Sequence, residues 1–173
     1  MPITFLVGGA RSGKSALAVD LASSHGGPVT FVATAEARDD DMADRITRHR
    51  RARPPGWTTV EAPLGLADAL LRVDVAASVV VDCLTLWTSN ALESGATEGA
   101  IVEEAVAVGA ALSVRRAASF VVSNEVGSGI VPMNELARRY RDVLGRVNTA
   151  VASAADAAYL VVAGRALRLE RLV

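Results

Sequence analysis

Imidazole and thiol side chains are scarce in this 173-residue chain, which holds one cysteine (Cys83) and two histidines, His25 and His49. One cysteine excludes an internal disulfide, and with so few histidines a Cys/His metal site is not expected. Aromatic residues are few as well, at 4%. Neither sign of charge dominates: 18 Lys+Arg against 19 Asp+Glu leave a formal net charge of -1. That balance gives no general case for a nucleic-acid partner or a membrane surface. No run approaches the roughly 20 apolar residues that span a bilayer. The segment Met1–Val7 has no basic leader and too short an apolar run for a signal peptide, so the expected location is cytoplasmic.

What the chain does have is a core. Hydrophobic residues make up 51% and charged residues 21%, which argues against disorder and for one domain over residues 1–173. Short β-rich runs at Ile3–Val7, Val29–Ala33, Ser78–Asp82, Phe120–Ser123 and Tyr159–Ala163 are nearly continuous in apolar residues. Strands buried on both faces have that character. Between them, Ser15–Ser24, Asp40–Arg51, Leu64–Arg72, Glu98–Arg116 and Asn134–Ala154 are helix-length and rich in Ala, Leu, Glu and Arg. The alternation predicts an α/β, three-layer fold with a mainly parallel central sheet. Trp57–Glu61 is a further candidate strand, and Arg165–Leu172 has the alternation of an exposed edge.

Gly8-Gly9-Ala10-Arg11-Ser12-Gly13-Lys14-Ser15 matches G-x-x-x-x-G-K-[ST] in full, between a strand and a helix. Glycines let such a loop curl so that its N–H groups face phosphate oxygens at a helix N-terminus. Lys14 is then expected to reach the β- and γ-phosphates, and Ser15 to ligate Mg²⁺. Asp82, ending an apolar strand, is the expected second Mg²⁺ ligand because it pairs with the phosphate loop; a plain cap for the following helix is the alternative. Cys83 beside it is expected to be a buried core thiol.

The stretch after the second strand orders acids before bases, as a helix dipole favours. Its arginines (Arg45, Arg48, Arg50, Arg51 and Arg53) nevertheless exceed what capping needs, and they surround His49. Such a cluster suggests an anion site for triphosphate or pyrophosphate, while His49 taken alone reads as a surface residue. His25, beside Gly26-Gly27, is expected to end a helix. Asn124-Glu125 follows a strand at the ligand-binding edge of the sheet, either near substrate or merely in a turn with Gly127 and Gly129 at positive φ.

Taken in order, these elements resemble the bifunctional adenosylcobinamide kinase / adenosylcobinamide-phosphate guanylyltransferase family of cobalamin biosynthesis. The resemblance spans nearly the whole chain. It is carried by the phosphate loop, Ala33-Thr34, Asp40-Asp41-Met42-Ala43, His49-Arg50 with Arg53-Pro54, Asn124-Glu125-Val126-Gly127, Gly129-Ile130-Val131-Pro132 and Gly145-Arg146-Val147-Asn148. It implies a P-loop NTPase-like fold, phosphorylation of adenosylcobinamide by ATP or GTP, and GMP transfer from GTP through a histidine. That histidine falls on His49. Nucleotide contacts fall on Gly8–Ser15, on Ala33, Thr34 and Ala35, on Arg50, Arg51, Ala52 and Arg53, and on Glu61 and Asp82. Arg48 stands where some relatives have a second histidine, and Asp82 where others have Glu. A homotrimer is also implied. A P-loop small-molecule kinase without nucleotidyl transfer, and a nucleotide-binding switch without chemistry, are the alternatives.

Overall fold

The computed structural model describes residues 2–51 and 53–171. Seven strands form one sheet in the order β3-β2-β4-β5-β1-β6-β7. They are β1 (Ile3–Gly8), β2 (Val29–Ala33), β3 (Thr58–Glu61), β4 (Ser78–Asp82), β5 (Ser119–Asn124), β6 (Ala157–Val162) and β7 (Arg165–Leu169). All neighbours pair in parallel except β6 and β7, which are antiparallel. This is the expected α/β fold, with β7 as the exposed edge; Leu172 lies outside the described residues.

Alternation along each central strand divides the core between two faces, as the pleat requires. Ile3, Phe5, Val7, Val79, Val81 and Val121 pack in one cluster with Leu66, Trp87, Ile101, Leu112 and Val147. These come from helices α3 (Leu66–Arg72), α4 (Leu84–Glu93), α5 (Glu98–Ser113) and α6 (Glu135–Ala154). Leu6, Phe31, Val80, Phe120 and Val122 pack on the opposite face against Ala18 and Ala22 of α1 (Lys14–Ser24). Helix α2 (Asp40–Arg51) contributes no residue to either cluster among the described residues. Its apolar side chains Met42 and Ile46 face a cavity instead.

Helix α4 is an addition to the elements expected. Thr85, Thr88, Ser89 and Asn90 give its sequence poor helix propensity. Seven of its ten residues are buried, so it shows no amphipathic stripe. Among the described residues no helix is long and apolar enough to cross a membrane.

The strand order sets the site. The chain leaves β1 and must cross both β5 and β4 to enter β2, so α1 lies over β5 and β4. That crossing carries the first turn of α1 above the end of β4. Because these strands are parallel, the loops after β1, β2, β4 and β5 all open on one edge, where open α/β sheets bind ligands.

Candidate active site

The loop between β1 and α1 is shaped by close packing. A Cβ on Gly8 would lie 2.1 Å from the Val161 carbonyl oxygen, and Gly13 begins α1 at φ 103°. Arg11 also takes a positive φ of 56°. Lys14 is buried, and its Nζ donates to the Gly9 carbonyl at 2.6 Å and to Ser12 Oγ at 3.3 Å. The ammonium is thereby held inside the curl of the loop. Residues Ala10–Ala16, with Arg48, His49, Asp82, Cys83, Val122 and Asn124, line a cavity of about 540 Å³.

Ser15 Oγ donates to Asp82 Oδ1 at 3.2 Å, and the other carboxylate oxygen, Oδ2, lies 3.7 Å from His49 Nδ1. Asp82 therefore faces the phosphate loop with one oxygen and the imidazole with the other. Its strand, β4, is not adjacent to β1; β5 lies between, and the path of α1 closes the gap. Ser15 and Asp82 fit a Mg²⁺ ion. Octahedral ligands at 2.0–2.1 Å place neighbouring oxygens about 2.9 Å apart, close to the separation seen here. Two protein oxygens are a usual share for this ion beside phosphate and water. Among the described residues no group of three or more His, Cys, Asp or Glu is placed to hold a metal ion by itself.

A second cavity, of about 370 Å³, lies on the far side of His49 and Asp82. It is lined by Phe31, Ala33, Ala35, Met42, Ile46, Arg50, Arg53, Glu61 and Leu86, and it shares His49, Asp82 and Cys83 with the first. Successive residues of a helix point about 100° apart, so Arg48 reaches the phosphate-loop cavity while Arg50 faces the second. The Arg53 guanidinium stacks 3.4 Å from the centre of the Phe31 ring and donates to Thr59 Oγ1. Burial pulls its pKa below the ordinary value, and Asp82 pulls the other way. Arg50 pairs with Glu61. Thr34 turns inward: its hydroxyl donates to the Cys83 carbonyl at 2.7 Å and accepts from the Cys83 N–H at 2.8 Å. The Asn90 carboxamide, on α4, donates to the carbonyls of Thr34 and Pro63, which ties the loop after β2 to that helix.

Of the other positions, some lie where expected and some do not. Arg51 is exposed and borders neither cavity. Ala52 and the side chain of Arg45 lie outside the described residues. His25 ends α1, with Nδ1 at 2.9 Å from the Leu21 carbonyl and its ring against Phe120. Cys83 is half-buried and borders both cavities rather than sitting wholly in the core. Burial, and then Asp82, push its pKa up to about 11, so it remains a thiol at neutral pH and a poor nucleophile. Asn124 lines the phosphate-loop cavity, whereas Glu125 accepts from the N–H groups of Gly127 and Ser128 in its own loop. Gly127 and Gly129 are not at positive φ; Gly127 instead leaves room for the Glu125 carboxylate, which a Cβ there would meet at 2.9 Å.

Phe31, Met42, Ile46 and Leu86 were not among the expected site residues. Phe31 was indistinguishable from a core position in its strand, and Leu86 fell in the unassigned helix. Met42 and Ile46 are the apolar i, i+4 pair of α2, which was the available signal.

Residues 4–169 match the family described as cobinamide kinase / cobinamide phosphate guanyltransferase. The chain belongs to that family. It is accordingly an enzyme of the kinase and guanyltransferase kind. Among its relatives is the bifunctional adenosylcobalamin biosynthesis protein CobP of Pseudomonas aeruginosa, 42% identical over 95% of each chain. The CobU proteins of the same description from Salmonella typhimurium and Escherichia coli are 38% and 39% identical, over 95% of this chain and 98% of theirs.

Among solved structures, a type III secretion ATPase from pathogenic bacteria superposes with a TM-score of 0.59 at 9% identity, over 92% of this chain. The secretion ATPase EscN of enteropathogenic E. coli gives 0.58 at 10%, over 94% of this chain. The family member spans about half the length of those ATPases, 50% and 43%. At such low identity the likeness shows the P-loop NTPase-like fold alone.

Proposed function

We propose that this chain phosphorylates adenosylcobinamide with ATP or GTP. It then transfers GMP from GTP to adenosylcobinamide phosphate through a guanylyl-histidine on His49, giving adenosylcobinamide-GDP and pyrophosphate. The observation that carries this reading is the place of His49, on the wall shared by a phosphate-loop cavity and a second, arginine-lined cavity. A plain kinase has no use for an imidazole there. An unprotonated imidazole nitrogen is a good nucleophile and splits one nucleotidyl transfer into two displacements. The neighbouring thiol of Cys83 is no competitor at neutral pH.

The residues divide the work. Lys14 and the N–H groups of Gly8–Ser15 hold the β- and γ-phosphates during phosphoryl transfer. Ser15 and Asp82 are the residues to hold Mg²⁺, which when bound neutralises charge developing on the phosphates. Ala33, Ala35, Phe31, Arg53 and Glu61 enclose the nucleotide whose α-phosphate His49 attacks, with Thr34 fixing the floor. Arg48 and Arg50, on either side of His49, stabilise the leaving pyrophosphate. Arg51 and Ala52 complete the run after His49.

One seven-stranded sheet supports a single catalytic domain over residues 1–173. The reading also places the enzyme in the cytoplasm, where its nucleotide substrates are abundant. A homotrimer agrees with the exposure of Ile130, Val131 and Met133 in the isolated chain, since such side chains suit an interface.

Separate assays with adenosylcobinamide and its phosphate test the two steps. Nucleoside diphosphate release with the first, and pyrophosphate release with the second, are expected. Activity on the phosphate alone would remove the kinase half of the reading.

A further inference from the structure

Nothing in the proposed reaction yet says which imidazole nitrogen reacts, or why the ring stands where it does. We propose that Asp82 is the positioning carboxylate of His49, holding Nδ1–H so that Nε2 takes the GMP, in addition to its part beside Ser15. This rests on His49 being the guanylyl carrier. Two observations converge on it. Asp82 Oδ2 lies 3.7 Å from His49 Nδ1, and Oδ1 is engaged separately by Ser15 at 3.2 Å. One carboxylate therefore serves both partners with different oxygens. The Asp82 side chain is 11% exposed and that of His49 39%, so the carboxylate is fixed while the ring retains access to both cavities. A movement of about 1 Å makes the hydrogen bond, and such bonds commonly tighten when substrate binds.

The electrons balance without a proton acceptor. The Nε2 lone pair forms a bond to the α-phosphorus, the bond from that phosphorus to the bridging oxygen breaks, and its electron pair leaves on pyrophosphate. The proton stays on Nδ1, so the guanylylated ring is cationic, and Asp82 faces that charge. In the second displacement a phosphate oxygen of the acceptor attacks the phosphorus and the electron pair returns to Nε2. A carboxylate on the far nitrogen is the arrangement that fixes both tautomer and ring orientation.

With two histidines in the chain, ¹⁵N-histidine spectra of the whole protein separate His49 from His25, and His25→Gln assigns them. GTP is added with pyrophosphatase, and ³¹P–¹⁵N correlation identifies the bonded nitrogen. The native protein and Ser15→Ala are expected to carry phosphorus on Nε2. Asp82→Ala is expected to react about 10- to 100-fold more slowly, the usual effect of losing such a partner, and to give mixed attachment. Before reaction, with the rings neutral, Asp82→Ala is expected to shift His49 from the Nδ1–H to the Nε2–H tautomer, and Ser15→Ala is not. Asp82→Asn replaces the alanine variant if that one does not fold, with the same expectation of slower reaction. Phosphorus on Nδ1 of the native protein, or an unchanged rate and tautomer after loss of the carboxylate, overturns the proposal and leaves His49 as carrier. No phosphorus on His49 at all overturns the carrier reading, and the tautomer spectra then decide the role of Asp82 by themselves.

Discussion

Ser15 Oγ and Asp82 Oδ1 stand 3.2 Å apart although β5 separates β1, which leads into α1 and Ser15, from β4, which ends in Asp82. The contact is a product of topology, because α1 has to cross β5 and β4 on its way to β2. If this pair holds Mg²⁺, Ser15→Ala should raise the Mg²⁺ concentration needed for half-maximal nucleotide turnover by roughly tenfold or more. A magnesium titration of the initial rate measures it, and an unchanged titration would remove Ser15 from the cation site.

Gly8 makes a sharper structural prediction. A methyl group there would meet a backbone carbonyl at 2.1 Å, and neither the loop nor β6 can yield cheaply. Gly8→Ala should cost about 3 kcal/mol or more of stability, at the upper end of overpacking effects. Chemical denaturation measures this. Gly9→Ala, where a Cβ meets nothing within 4 Å, is the control and should change stability little.

Arg115 holds a different part of the molecule. Arg115 is 3% exposed, and its guanidinium donates to the carbonyls of Leu70, Val73, Asp74 and Ala77, closing the end of α3 against the approach to β4. Arg115→Met keeps much of the volume but removes the guanidinium donor from all four carbonyls, of which those of Leu70 and Asp74 keep the N–H groups of Val73 and Ala77. A loss of about 3 kcal/mol is expected, since hydrogen bonds to a charged group are the stronger kind. Thermal unfolding reads it as a lowered Tm, with the nucleotide affinity of the folded fraction unchanged.

Tyr140 carries a pH dependence. Burial raises its phenol to about 12, with Cys83 adding to the shift, and its hydroxyl donates to the Thr85 carbonyl. The unfolded phenol ionises near 10, so the folded state retains the proton that the unfolded state gives up. This contribution to stability is complete below about pH 10 and is lost as pH rises toward 12. Tyr140→Phe should flatten that part of the stability–pH curve, as followed by denaturation at a series of alkaline pH values. An unaltered slope would contradict it.

Much of this was written in residue order. Nearly continuous apolar runs in β1, β2, β4 and β5 announce strands covered on both faces, and Gly8–Ser15 announces the phosphate loop. Helix α4 was hidden because its threonines and Asn90 disfavour helix locally and tertiary burial overrides them. The pairing of His49 with Asp82 was hidden for another reason. The two residues are 33 positions apart, and only the order of strands brings the end of β4 to His49 on α2. Glu125 could have faced substrate or capped its own loop, and backbone hydrogen bonding decides for the loop.

In the proposed reaction His49 carries the nucleotide. Incubation with GTP labelled at the α-phosphate, followed by alkaline denaturation, tests it directly. Acid-labile, alkali-stable label is expected on His49 in the native protein and none in His49→Ala, whose ATP-dependent phosphorylation of adenosylcobinamide persists. Equal labelling of His49→Ala would contradict it.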